Sequence, residues 1–169
     1  MKQIFQDLNS GKSILEEVPI PNIKDNEILI KSIISLISAG TELSLINFSK
    51  SNYLSKAKQQ PEKFNQLVQK VKSDGPKSAL EAVKAKLQEP IPLGYSNVGR
   101  ILKVGKNITN LKVGDRVVSN GPHAEIVCVS EKLCAKIPEN VLDEDAVFSV
   151  LASIGLNGIR LLEPTFGEV

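Results

Sequence analysis

From Asn97 onward the chain repeats one pattern: a short alternating apolar run, then a turn. Asn97-Val98-Gly99-Arg100-Ile101-Leu102-Lys103-Val104 alternates and runs into Gly105-Lys106-Asn107. Val113-Gly114-Asp115-Arg116-Val117-Val118 sets a turn directly before a strand, and Ala124-Glu125-Ile126-Val127-Cys128-Val129 alternates again. Alternation with period two is the signature of a half-buried strand. Several short strands at regular spacing, each ended by turn residues, predict an all-β barrel or sandwich. Upstream, the run 27–37 is β-branched and apolar. Pro19, Pro21 and Lys24-Asp25-Asn26 separate it from an earlier run at 13–18. Residues 1–46 therefore read as strands.

Between these zones the texture changes. Pro61-Glu62-Lys63 puts a proline in a first helical turn, and Phe64, Leu67, Val68 and Val71 then fall on one helical face. Ser73-Asp74-Gly75-Pro76 stops that helix. A second helix carries Ala79, Leu80, Val83 and Leu87 and ends before Pro90. Residues 49–90 thus predict an inserted helical hairpin. It holds nine lysines against four acids, while the whole chain carries only +2. A solvated outer face accounts for that excess; a lobe facing an anion or a partner is the other reading. The tail, 144–162, reads as one helix with Ala146, Val150 and Ile154 on one side.

Composition excludes several functions. With 21 basic and 19 acidic residues the basic excess expected of a nucleic-acid protein is missing. Tryptophan is absent and aromatics are 4%, so stacking platforms are scarce. The longest apolar run, Ile33-Ile34-Ser35-Leu36-Ile37, is far short of a membrane span. Two cysteines make no disulfide scaffold, and a reducing cytoplasm is the expected compartment. Hydrophobic residues at 41% are enough to build a core.

Leu93-Gly94-Tyr95-Ser96-Asn97-Val98-Gly99, followed by Val104-Gly105 and Val113-Gly114-Asp115-Arg116-Val117, resembles a known order. It is that of the N-terminal GroES-like catalytic domain of the medium-chain dehydrogenase/reductase superfamily. The resemblance continues at Ala124-Glu125-Ile126-Val127, at Ile137-Pro138-Glu139-Asn140-Val141 and through 146–158, and upstream at Ala39-Gly40-Thr41-Glu42. It implies a mainly β fold: a GroES-like barrel over 1–148 with the helical insertion at 49–90. Residues 149–169 would be a helix leading towards a Rossmann cofactor domain. The insertion is similar to that of a subgroup of bacterial bi-domain oxidoreductases associated with polysaccharide or glycan assembly. That likeness implies a sugar or nucleotide-sugar alcohol or carbonyl as substrate.

The resemblance would supply zinc with a cysteine at position 39 and a histidine at 95. This chain has Ala39 and Tyr95 there, Ser96 in place of the following acid, and no cysteine between 149 and 160. Catalytic zinc takes about three protein ligands, so no zinc is expected. His123, Cys128 and Cys134 are the only other soft ligands; His123 and Cys128 fall on opposite sides of a regular strand. They read as a loop histidine and small buried cysteines. Without zinc, hydride transfer still needs a group to exchange a proton with the substrate oxygen. The resemblance makes Thr41 the hydroxyl that relays protons and contacts the nicotinamide ribose. A turn-stabilising threonine is the structural alternative. Tyr95 would point into the same cleft as an acid or hydrogen-bond donor, or else merely fill the metal cavity. Glu42 would pair with a cation or orient Thr41, Ser38 and Ser96 would line the site, and Asn157 would lie near the nicotinamide.

A dinucleotide site needs a strand and G-x-G-x-x-G at a helix start. The chain has none; Gly155 and Gly158 lack the leading glycine. The resemblance places the first cofactor-domain strand where this sequence stops. The expectation is therefore a piece of an NAD- or NADP-dependent oxidoreductase, inactive alone. It would act on a small molecule and not on nucleic acid or membrane. Its partner would be a second copy, met through an uncovered apolar face, or a covalently linked cofactor domain. The alternative is a non-enzymatic GroES-like binding or assembly module that uses the basic hairpin as its contact surface.

Overall fold

The computed structural model describes residues 1–51, 75, 77, 81, 85, 89–163, 165 and 167. The predicted hairpin of 49–90 lies outside the described residues except at its margins and at Gly75, Lys77, Glu81 and Ala85. The chain divides into two compact units.

One unit comprises Met1–Gln3, Glu17–Ile37 and Gly94–Val169. Its centre is a five-stranded antiparallel sheet built from β3 (Glu27–Ser35), β5 (Asn97–Val104), β6 (Arg116–Ser119), β7 (Ile126–Ser130) and β8 (Cys134–Lys136). The order is β7-β3-β5-β6-β8. Successive residues point to opposite faces, and both faces are covered. Ile28, Ile30, Ile101, Ile108, Leu111, Val117, Val127 and Val129 pack on one side. Val98, Val118, Ile137, Ala146 and Val147 pack on the other. Burying an isoleucine or valine fully is worth about 1.5–3 kcal/mol, so these two clusters supply much of this unit's stability. The predicted strand at 97–104 is present with those bounds.

Gly99 is fixed by space rather than by backbone conformation. It pairs with Ser32 of β3, and a Cβ there would lie 2.3 Å from the Lys31 carbonyl oxygen. At the start of β6, Asp115 accepts from Lys136 Nζ at 2.8 Å and from the Lys112 amide at 3.0 Å. The Lys136 bond, then the Lys112 amide, hold its carboxyl below the usual carboxylate value. Arg116 forks onto Asp143 Oδ1 at 2.7 Å and onto the Val141 carbonyl, tying the sheet to α2 (Asp143–Ala146).

The other unit comprises Ile4–Glu16 and Ser38–Leu93. A three-stranded sheet runs in the order β2 (Ser13–Glu17), β1 (Lys2–Gln6), β4 (Ile91–Pro92). Gln6 is fully buried. Its amide nitrogen donates to Ser49 Oγ at 2.8 Å and its oxygen accepts from Ser13 Oγ at 2.7 Å. One carboxamide thus joins β1, β2 and α1 (Ala39–Lys50).

Helix α1 corrects the reading of residues 1–46 as strands. Its buried residues are Glu42 and Ser49, both polar, so it carries no apolar stripe for a periodicity argument to find. The tail is corrected as well. The single helix expected over 144–162 is broken into α2 and α3 (Ser149–Leu162). The break is a tight corner in which the Phe148 amide donates to Asp145 O at 3.2 Å. Of the expected face, Ala146 is buried, Val150 is half-buried and Ile154 is 62% exposed. Among the described residues no helix is long and apolar enough to cross a membrane.

Candidate active site

Thr41 and Glu42 sit in the first turn of α1. Glu42 is buried, and its Oε1 accepts the Ser38 backbone N–H at 2.9 Å. A carboxylate near a helix start also meets the positive end of the helix dipole. Ser38 Oγ lies 3.5 Å from the exposed Thr41 hydroxyl. Ser38, Thr41 and Glu42 therefore share one helix start.

Tyr95 and Asn157 belong to the other unit. Asn157 is exposed on α3. Tyr95 is half-buried on a turn whose other members are closely held. Gly94 has φ +88, a conformation open to glycine. Ser96 is 1% exposed, donates from Oγ to the Val147 carbonyl, and accepts the Leu36 amide at 3.0 Å through its backbone oxygen.

Behind this turn the face that carries Ile28, Ile30, Ile101 and Val117 becomes polar. Asn97 shares the Ile101 face of β5, opposite Ser35 of β3 and Ser119 of β6. Its Nδ2 donates to Ser32 Oγ at 2.9 Å, and Ser32 Oγ donates to the Ala124 carbonyl. Asn97 is fully buried, and its Oδ1 has no hydrogen-bond partner among the described residues. His123 is buried, with Nδ1 2.8 Å from Ser35 Oγ. His123 lies on a bend outside the strands, and no sequence motif marks Ser32, Ser35 or Asn97 as a site residue. The one local signal was Gly94, whose neighbour across the fold is the His123 ring.

The thiols are not poised for reaction. Burial, reinforced by Glu27, pushes Cys128 up to about 11; burial and Glu131 push Cys134 up to about 11. Among the described residues no group of three or more His, Cys, Asp or Glu side chains is placed to hold a metal ion. Ala39 and Tyr95, at the positions where the resemblance would place zinc ligands, offer neither imidazole nor thiolate.

The architecture defines a mainly β, GroES-like class of domain. Residues 71–139 match the family model of the alcohol dehydrogenase GroES-like domain. L-threonine 3-dehydrogenase of Bacillus velezensis is 28% identical over 117 residues, covering 69% of this chain and 24% of that protein. The fold is that of the quinone oxidoreductase from Coxiella burnetii (TM-score 0.68, 20% identity, 99% of this chain, 47% of that one). It is equally that of the Escherichia coli quinone oxidoreductase complexed with NADPH (TM-score 0.63, 17% identity, 99% and 42%). The chain is thus similar to the alcohol dehydrogenase GroES-like domain over residues 71–139 and shares its fold with these solved structures. It spans less than half the length of each of these relatives.

Proposed function

We propose that this chain is the substrate and catalytic domain of a zinc-independent, NAD(P)-dependent oxidoreductase. It would act on a small alcohol or carbonyl, in the narrower reading a sugar or nucleotide-sugar. The observation that carries this is Tyr95: a half-buried phenol on a held turn, at the position where the resembled family has a zinc-ligating histidine. A nicotinamide, when bound, supplies or accepts the hydride. In the reducing direction the carbonyl oxygen takes its proton from the Tyr95 phenol as the C–H bond forms at carbon. In the oxidising direction Tyr95 takes that proton back. Thr41 supplies the hydroxyl assigned to proton relay and to the nicotinamide ribose. Glu42 holds the helix start that carries Thr41, and Asn157 would lie near the nicotinamide. In this reading residues 1–148 form the catalytic domain, and 149–169 lead to a cofactor domain on a linked segment. The enzyme is cytoplasmic and works linked to that domain or as a homo-oligomer.

The reading frame past Val169 is the first test. A strand and G-x-G-x-x-G in frame support the enzyme. A stop codon there supports instead a binding module using its lysine-rich 49–90 segment. In a protein that includes the cofactor half, Tyr95→Phe should lower kcat with NAD(P)H by about 100-fold or more, the contribution of a positioned proton donor. A metal chelator should leave the rate unchanged. Full activity of Tyr95→Phe, or loss of activity to the chelator, overturns the proposal.

A further inference from the structure

Tyr95 is a half-buried member of a turn that is otherwise locked, and one side of the lock is a histidine ring. An ideal Cβ built on Gly94 would lie 2.7 Å from Cγ, 2.7 Å from Cδ2 and 2.8 Å from Cε1 of His123. Three ring atoms at nearly one distance mean that the face of the imidazole, not its edge, lies against Gly94. The ring's rotation is set from behind by the 2.8 Å contact of Nδ1 with Ser35 Oγ. Ser35 is itself fixed at the end of β3, paired with Asn97. On the far side of Tyr95 the Ser96 hydroxyl is bonded to Val147 O. The phenol therefore leaves a backbone held immediately before it by a ring face and immediately after it by a buried hydrogen bond.

We propose that His123, oriented by Ser35, is the positioning residue of Tyr95. Its ring face holds Gly94 in the left-handed conformation and so sets the direction in which the phenol projects. A side chain that must meet a substrate atom needs such support, because small losses of aim are costly in rate. The functional value of this device rests on the reading of Tyr95 as the proton donor; the device itself does not.

The chain lacks tryptophan and its only other tyrosine is Tyr53. In a Tyr53→Phe background, the near-ultraviolet tyrosine circular dichroism and the fluorescence anisotropy decay therefore report on Tyr95 alone. His123→Ala should lose most of the dichroic band and shorten the anisotropy decay at temperatures where far-ultraviolet dichroism shows an intact fold. His123→Phe, which keeps a ring face, should retain most of the band. Ser35→Ala should give an intermediate loss. A histidine that only fills space would lower Tm and leave both tyrosine signals unchanged below the transition. That result, in His123→Ala or, if this variant does not fold, in Ser35→Ala, overturns the proposal. Activity separates the two readings. Tyr95→Phe with full turnover defeats the proton-donor role and leaves the positioning result standing; unchanged tyrosine signals with a Tyr95→Phe rate loss do the reverse.

Discussion

Among the described residues two carboxamides are buried completely, one in each compact unit, and their surroundings differ. Gln6 has both ends of its amide bonded, to Ser49 and to Ser13, and so joins two strands and a helix. Asn97 gives its NH2 to Ser32 and keeps a carbonyl oxygen with no partner among the described residues. A satisfied buried amide stabilises; one with a bare acceptor carries a desolvation penalty of about 1–3 kcal/mol. The difference separates the two roles. Gln6 is construction. Asn97 belongs to a polar patch that includes His123 and lies behind the Tyr95 turn, where packing alone would favour more valine and isoleucine. Polar patches kept at a stability cost are expected near functional groups.

The largest effect should come from removing the close strand approach beside Asn97. Gly99→Ala places a methyl 2.3 Å from a backbone oxygen, and neither strand can yield without losing the β3–β5 register. We expect a loss of about 3 kcal/mol or more in chemical denaturation, or no folded protein. Next come the amides themselves. Gln6→Ala opens a cavity and removes one hydrogen bond from each of two serine hydroxyls, at about 2–4 kcal/mol. Asn97→Ala removes one hydrogen bond together with an unpaired acceptor, at about 1–2 kcal/mol. Equal losses in the two variants would erase the comparison. The smallest effect is on the acid side. Asp115 has its folded value lowered by Lys136, so its contribution is present above the unfolded carboxylate value and is lost as pH falls through the folded one. Asp115→Asn should flatten that acid limb and leave neutral-pH folding intact, as thermal melts across the acid range would show.

Much of the sheet was legible because alternation is local. β5 and the run that became β3 needed no information beyond their own residues. Helix α1 was not, since it buries Glu42 and Ser49 instead of a leucine stripe. The corner between α2 and α3 was not, because no glycine or proline marks it in the sequence. Tyr95, Thr41 and Glu42 enter as candidates through the resemblance alone. The support behind Tyr95 was hidden because Ser35 and His123 are 88 positions apart and neither sits in a recognisable motif.

The raised thiols have a practical consequence. Disulfide exchange and maleimide coupling both proceed through the thiolate, which Cys128 and Cys134 scarcely populate near neutrality. The native cysteines are therefore chemically quiet, and a new one at the 61% exposed Val113 would react ahead of them. A spectroscopic label could be attached there without first stripping the chain of its own sulfur.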